Sequence, residues 1–115
     1  MSLTKIEIIT RPGKLDDLKI ALDSIGITGM TVSQVYGFGM TKGHTEVYRG
    51  KEYSINLLPK VKVEIVIYDD IVAKIIESAR MVLNTGTLGD GKIFITKIEN
   101  AVRIRTGETG IDAIV

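Results

Sequence analysis

Two segments of the chain alternate hydrophobic and polar residues with a period of two, which is typical of β-strands that have one buried face. In Lys5–Thr10 this alternation places Ile6 and Ile8 on one face. Pro59–Tyr68 is the clearest strand of the chain. Its β-branched residues on one face are Val61, Val63, Ile65 and Ile67.

Two other segments repeat apolar residues every three or four positions, the spacing of one face of a helix. In Lys14–Ile25 these residues are Leu15, Leu18, Leu22 and Ile25. Gly26 follows at the position that suits a helix C-terminus. The second helix is predicted to begin at Asp69 or Asp70, either of which can cap it, and to end before Asn84. Its apolar residues are Ile71, Val72, Ile75, Ile76, Ala79, Val82 and Leu83.

Thr28–Phe38, which is rich in Thr and Val, and Lys92–Ile98 complete the order β-α-β-β-α-β. This order predicts an α+β, ferredoxin-like fold with a four-stranded antiparallel sheet and a long loop between strands 2 and 3. Ala101–Thr106 is predicted as a short C-terminal strand. A chain of 115 residues is expected to form one domain, residues 1–115.

Two helices on one face of such a sheet leave the other face open. The alternation places Ile9, Val66 and either Phe94 or Ile95 on that open face. A partly apolar open face favours burial against another copy of the chain. We therefore expect a homo-oligomer.

Composition narrows the function classes. The net charge of +1 argues against a general binder of nucleic acids or membranes, and 5% aromatic residues argue against an RNA-binding sheet. The chain has no Cys and one His, so it offers neither a thiolate nor a multi-histidine metal site, and no metal ligands are predicted. No apolar run approaches the roughly 20 residues that span a bilayer. We expect a soluble, cytoplasmic protein.

The stretch Val35–Lys60 has four glycines and no regular period in its middle, which predicts a long loop used for binding or signalling. His44 has no acid or base partner in sequence, so ligand contact or plain exposure is favoured over catalysis. Tyr48 and Tyr53 fit either packing at the loop base or modification of an exposed hydroxyl.

Thr85–Lys92 reads T-G-T-L-G-D-G-K. Glycines allow backbone N–H groups to approach anionic oxygens and Lys92 adds a charge, so the stretch fits a phosphate site. It equally fits a turn between helix and strand with a solvated lysine. It is not a Walker loop, because Ile93 stands where that motif needs Ser or Thr.

Arg103 and Arg105 favour the phosphate interpretation over a pair of surface arginines bonded to acidic residues. Residues two apart in a strand point to the same side, about 6.6 Å apart. Two guanidinium groups there would match polyphosphate oxygens, together with Lys92. Their neighbours Val102 and Ile104 are expected to face the core.

The chain resembles the PII signal-transduction proteins over nearly its whole length. The segment Tyr48–Tyr53, Y-R-G-K-E-Y, is similar to the family's loop signature, with Lys51 where a small residue is usual. Thr85–Ile95 is similar to the C-terminal signature. Two further segments, G-H-T-E from Gly43 and R-I-R-T-G-E from Arg103, also fit.

The resemblance implies a homotrimer that holds ATP or ADP, with Mg²⁺ accompanying ATP, in clefts between subunits. It implies a flexible loop, residues 39–58, which we call the T-loop, that docks on a target protein. The residues implied to bind nucleotide are Thr31, Gly37, Gly39, Met40, Glu64, Val66, Gly89, Asp90, Gly91, Lys92, Arg103 and Arg105. Tyr53 aligns with a tyrosine that some members have modified.

One departure from the family pattern affects the ligands. The family usually has Arg-Gln after the loop-base glycine, where this chain has Met40 and Thr41. The Gln helps to hold the Mg²⁺ that 2-oxoglutarate chelates, whereas Lys60, which would pair with a 2-oxoglutarate carboxylate, is kept. We expect nucleotide binding with a weak or absent 2-oxoglutarate response.

The leading interpretation is a regulator that is not an enzyme, in which ATP and ADP compete and favour different T-loop conformations. The implied target is a membrane transporter, such as an ammonium channel that recruits the protein to the membrane, or a metabolic enzyme. The alternative is a small nucleotide-hydrolysing enzyme on the same fold, but the sequence shows no catalytic base for it.

Overall fold

The computed structural model describes residues 2–38 and 57–115, together with two short strands between them. The elements in chain order are β1 (Leu3–Thr10), α1 (Leu15–Ser24), β2 (Thr31–Phe38), β3 (Thr45–Tyr48), β4 (Lys51–Ser54), β5 (Leu57–Tyr68), α2 (Val72–Leu83) and β6 (Lys92–Ile98). Short 3₁₀ turns cover Pro12–Lys14, Asp69–Ile71 and Gly110–Ala113. Strands β2, β5, β1 and β6 form one antiparallel sheet in that order, which confirms the predicted ferredoxin-like fold.

The core lies between the two helices and one face of the sheet. Alternate residues of β1 and β5 supply the sheet side, and one face of each helix supplies the other. Burying this apolar surface is the main force that holds the layers together. The buried residues include Ile6, Ile8, Leu18, Leu22, Val61, Val63, Ile65, Ile75, Ala79 and Leu83.

Strand register decides which β6 residue lies on the open face. Ile95 is paired with Ile6, so it shares the helix-covered face. Phe94 is paired with Glu7 and shares the open face with Ile9. Of the two alternatives predicted from sequence, Phe94 is therefore correct.

The open face is charged as well as apolar. Glu7 and Glu64 stand opposite each other in the register of β1 and β5. Each carboxylate has its own lysine, because Lys5 lies 3.1 Å from Glu7 and Lys62 lies 3.3 Å from Glu64. These pairs compensate the repulsion that two like charges would cause at directly opposite positions.

The predicted long loop between β2 and β5 contains two short strands that the sequence did not indicate. Strands β3 and β4 pair as a two-stranded hairpin, with Thr45 opposite Ser54. Strand β5 begins at Leu57, two residues earlier than predicted, because its pairing with β2 continues to Phe38. Residues 39–44, 49–50 and 55–56 lie outside the described part of the chain.

The C-terminal strand predicted over Ala101–Thr106 is much shorter than expected. It is reduced to a single bridge between Val102 and Thr109. The chain turns back instead, because Gly107 has a positive φ of 74° and donates its N–H to the carbonyl of Arg103. The expected burial of Val102 and Ile104 is wrong, since they are 62% and 100% exposed.

Two smaller expectations also differ. Strand β2 begins at Thr31 rather than Thr28. Neither Asp69 nor Asp70 caps α2 through its side chain. The Asp69 carboxylate instead accepts hydrogen bonds from Thr4 and Lys97, at 2.5 Å each, and so ties the start of the helix to β1 and β6. No helix in the described residues is long and apolar enough to cross a membrane.

Candidate functional site

The loop 85–91, between α2 and β6, is built around the Asp90 carboxylate. One carboxylate oxygen accepts the backbone N–H groups of Thr85 at 2.7 Å and Gly86 at 3.0 Å. The other accepts the Thr85 hydroxyl and, at 2.5 Å, the Arg11 guanidinium. The hydrogen bonds from the Thr85 hydroxyl and amide, together with those from Arg11 and Gly86, hold the pKa of Asp90 well below its usual value. The side chain of Asp90 therefore shapes the loop rather than reaching outward.

Arg11 is a residue of the candidate site that the sequence interpretation missed. Its Nη1 atom bonds Asp90, and its Nη2 atom donates to the Leu88 carbonyl at 2.7 Å and the Thr87 hydroxyl at 3.1 Å. The only signal in the sequence was an arginine at the end of a strand, directly before Pro12. Its partners lie more than 70 residues away in the chain, so no local spacing pointed to them.

Two further side chains hold the backbone of the same loop. Lys60 on β5 donates to the Gly89 carbonyl at 3.0 Å, and Thr10 at the end of β1 donates to the Asp90 carbonyl at 2.8 Å. Lys60, which was predicted to contact 2-oxoglutarate, therefore also links the sheet to the loop through a hydrogen bond.

Gly91 is required by close packing. Its φ is +112°, and a Cβ atom there would lie 1.8 Å from the carbonyl oxygen of Ile9. Any side chain would thus force the loop away from β1. Gly89 also has a positive φ, and a Cβ atom there would lie 3.1 Å from the Arg11 guanidinium. Both glycines let the loop lie directly against the end of the sheet.

A pocket of about 530 Å³ opens between this loop and the T-loop ends of β2 and β5. Six residues predicted from sequence line it: Gly37, Lys60, Gly89, Asp90, Gly91 and Lys92. Apolar lining comes from Ile9, Phe38, Leu58, Leu88 and Phe94. Lysine ammonium groups beside glycine-rich backbone, with an apolar wall, suit a ligand that has both an anionic end and a flat apolar end.

Thr31, Glu64 and Val66 share the open face with this pocket but lie farther along the sheet. Thr31 is paired with Glu64, whereas Gly37 is paired with Leu58, six residues away on each strand. At about 3.4 Å per residue, the two pairs are about 20 Å apart. One chain therefore does not gather the whole predicted nucleotide set around one pocket.

The two predicted arginines lie at the opposite end of β6 from Lys92. Arg103 forms an ion pair with Glu108 at 3.0 Å and donates to the Val115 carbonyl, while Arg105 lies exposed in a turn. Gly110 of the same segment lines a cleft with Leu3 and Ile98, at the far end of the sheet. Strand β6, which is about 20 Å long, lies between Lys92 and this segment in the chain. The expectation that Arg103 and Arg105 lie two apart on one side of a strand is wrong, because Arg103 lies outside a strand and Arg105 lies in a turn.

Some predictions concern residues outside the described part of the chain. These are Gly39, Met40, Thr41 and His44. Tyr53 lies on β4, and its modification stays a prediction. Within residues 2–38 and 57–115, no three His, Asp or Glu side chains are grouped closely enough to hold a metal ion.

Comparison with known proteins identifies relatives along nearly the whole chain. The family model described as nitrogen regulatory protein P-II matches residues 3–108. Nitrogen regulatory protein P-II of Bradyrhizobium diazoefficiens is 55% identical, and that of Azospirillum brasilense is 54% identical. Each match covers 97% of this chain and the whole relative.

Solved structures agree with these matches. A structure of B. subtilis GlnK superposes with a TM-score of 0.81 at 46% identity, covering 98% of this chain and 99% of that one. A structure of the B. subtilis GlnK–ATP complex superposes with a TM-score of 0.78 at 40% identity, covering 97% of each chain.

Proposed function

The chain belongs to the nitrogen regulatory protein P-II family, and on that premise we propose that it is a regulator that binds ATP and ADP competitively and signals through its T-loop. Its relatives are named as nitrogen regulatory proteins, which are signalling proteins and not enzymes. The protein is therefore not an enzyme, as predicted, and the nucleotide-hydrolysing alternative is set aside.

The observation that carries the nucleotide proposal is the pocket beside loop 85–91. It combines Lys60 and Lys92 with a glycine-rich backbone fixed by hydrogen bonds and with an apolar wall that includes Ile9 and Phe94. The similar GlnK structure was solved as a complex with ATP, which supports the same ligand here. ADP would enter the same site because it shares the base and two of the phosphates.

The position of Arg103 and Arg105 supports a site completed by a second subunit. In one chain, Lys92 begins strand β6, which is about 20 Å long, whereas the arginines lie in the segment that follows the other end of that strand. An arrangement around a threefold axis would let the arginines of one copy approach the pocket of its neighbour. The exposed Val102 and Ile104, beside the arginines, offer apolar surface for that contact.

Calorimetric titration tests the nucleotide proposal. We expect ATP and ADP each to bind, and each to exclude the other. Lys92→Ala should lower the affinity for ATP at least tenfold, because a charge that faces the phosphates is lost. Lys97→Ala is the matched control, since Lys97 lies at the other end of β6 and pairs with Asp69. Failure of the native protein to bind either nucleotide would reject the proposal.

Mixing of two defective variants tests the shared site. Lys92→Ala and Arg103→Ala chains are each expected to bind ATP poorly as homotrimers. When they are co-assembled, some interfaces pair an intact Lys92 with an intact Arg103 of the neighbour, so part of the tight binding returns. Light scattering of the purified protein gives the subunit number, with three expected. No recovery on mixing would contradict the shared site.

The proposed signal passes from the nucleotide to the T-loop through the ends of β2 and β5, which line the pocket and lead into residues 39–58. A ligand shifts this loop only by its differential affinity for the loop conformations. The proposed target is a membrane transporter or a metabolic enzyme. A transporter would bring this regulator, which we expect in the cytoplasm, to the membrane. Pull-down from native membranes with ATP or ADP present tests this choice.

The 2-oxoglutarate response is proposed to be weak or absent. Met40 and Thr41 lack the side-chain amide of the glutamine that would help to hold Mg²⁺. Lys60 already donates a hydrogen bond to the Gly89 carbonyl. Titration of 2-oxoglutarate into the Mg-ATP form should therefore give little heat. Tight binding would overturn this proposal without affecting that of nucleotide binding.

A further inference from the structure

Three consecutive carbonyl groups of loop 85–91 are held by side chains from the body of the protein. Arg11 donates to the carbonyl of Leu88, Lys60 to that of Gly89 and Thr10 to that of Asp90. These donors come from the end of β1 and from β5. The orientation of three successive peptide units is thereby fixed.

Fixing the carbonyl groups also fixes the N–H groups. In a planar trans peptide, the C=O of one residue and the N–H of the next point in opposite directions. Holding the carbonyls of Leu88, Gly89 and Asp90 against the protein therefore turns the N–H groups of Gly89, Asp90 and Gly91 away from their anchors. Successive N–H groups presented in this way make a binding site for anionic oxygens.

We propose that Arg11 is a positioning residue of the nucleotide site, which holds loop 85–91 in the form that presents these N–H groups to phosphate. This inference rests on the proposed binding of ATP. Arg11 is the strongest candidate among the three anchors because it bonds both ends of the turn. It contacts the Leu88 carbonyl and Thr87 hydroxyl on one side and the Asp90 carboxylate on the other.

The shape of arginine matters to this role. A guanidinium group is a planar fork whose nitrogens donate to several acceptors at fixed angles, whereas a lysine ammonium is a single point charge. Arg11 is also held at its backbone, since it lies between the last residue of β1 and Pro12, whose φ is restricted. The guanidinium group therefore extends toward the loop from a backbone position that is itself fixed.

The test compares Arg11→Lys and Arg11→Met with the native protein. We expect both variants to lower the affinity for ATP and for inorganic tripolyphosphate at least tenfold. The affinity for adenosine should fall less than twofold, because only the phosphate contacts depend on the loop. Lys14→Met is the matched control: it removes one positive charge three residues away, where Lys14 faces Asp17 at 4.0 Å on the surface. This control should bind all three ligands like the native protein.

A second measurement needs no ligand. The N–H groups of Thr85 and Gly86 are bonded to the Asp90 carboxylate, which Arg11 holds in place. In both Arg11 variants these two amides are expected to exchange their hydrogens at least fivefold faster, while amides of the β1–β5 ladder exchange as before.

Each outcome decides between explanations. If Arg11→Lys binds tripolyphosphate as tightly as the native protein, charge alone matters and the positioning role is overturned. The positioning role is also overturned if the affinity for adenosine falls as much as that for ATP. It is overturned, too, if the Thr85 and Gly86 amides exchange their hydrogens at the same rate as in the native protein. If the native protein ignores ATP and tripolyphosphate, the proposed function itself fails.

Discussion

The two ends of strand β6 hold the two groups of cations that the sequence predicted to act together, and they are built differently. At the Lys92 end, the loop is fixed by Arg11, Thr10, Lys60 and its own Asp90. At the other end, Arg103 bonds within its own C-terminal segment, to Glu108 and Val115.

Under the proposed function, this difference separates a half of the site that is preformed in one chain from a half that a second subunit would complete. The Lys92 half has its shape fixed by contacts between residues distant in the chain. The arginine half has its guanidinium held by an exposed ion pair, which contributes little to stability and is easily exchanged for another anion. Under the proposed function, damage to the first half should affect both folding and binding, whereas damage to the second should affect binding alone.

The largest effect is expected for Gly91→Ala. A Cβ atom would overlap the Ile9 carbonyl oxygen, and the backbone has a positive φ that alanine rarely adopts. We expect a loss of about 3 kcal/mol in the free energy of unfolding and a loss of more than about 100-fold in ATP affinity. Urea denaturation and calorimetry measure the two. Gly13→Ala is the control, because no atom lies within 4 Å of its added Cβ.

Arg103→Ala should weaken ATP about tenfold, which corresponds to about 1.4 kcal/mol of binding free energy. The unfolding free energy should change by less than about 0.5 kcal/mol, since the ion pair with Glu108 is exposed. Glu108→Gln breaks the same pair and keeps the guanidinium, so it should bind ATP at least as tightly as the native protein. Equal ATP losses in both variants would mean that the ion pair, and not the free arginine, matters.

Thr10→Val tests one anchor of the preformed half. The Thr10 hydroxyl is buried and donates to the Asp90 carbonyl, so valine of similar size removes one hydrogen bond without leaving a cavity. The expected loss of unfolding free energy is about 1 kcal/mol. Thr96→Val, on the exposed part of β6, should change it little. A loss equal to that of the control would show that the anchor is dispensable.

The smallest effect is expected in the pH dependence of stability. The pKa of Asp90 is lower in the folded protein than in the unfolded chain, so its ionised form favours folding. That contribution is complete above about pH 5 and is lost as the pH falls below the unfolded value of about 4. The melting-temperature difference between native protein and Asp90→Asn should therefore shrink from pH 6 to pH 3.

Much of the fold could be predicted because its signals are local. The core residues could be located from the alternation of apolar residues in β1 and β5 and from their helical spacing in α1 and α2. The pairing register of the strands was not needed for that. The sequence could not choose between Phe94 and Ile95, since a one-residue shift of β6 exchanges its two faces. Only the pairing of Ile95 with Ile6 decides it.

The candidate site was predicted in its residue types and not in its assembly. Glycines and a lysine in Thr85–Lys92 indicated an anion site. Treating 101–106 as a strand gave the wrong arrangement for Arg103 and Arg105, because the turn closed by Gly107 was not recognised. Arg11 had no local pattern to identify it.

The amino-acid sequence by itself determined the order of the elements, the hydrophobic core and the residue types of the stretch Thr85–Lys92, because each depends on residues close together in the chain. Only the tertiary structure decided which side chains fix that stretch and which cations share its pocket. The physical reason is that hydrogen bonds such as Arg11 to Asp90 form between residues that become neighbours only when β1 pairs with β6.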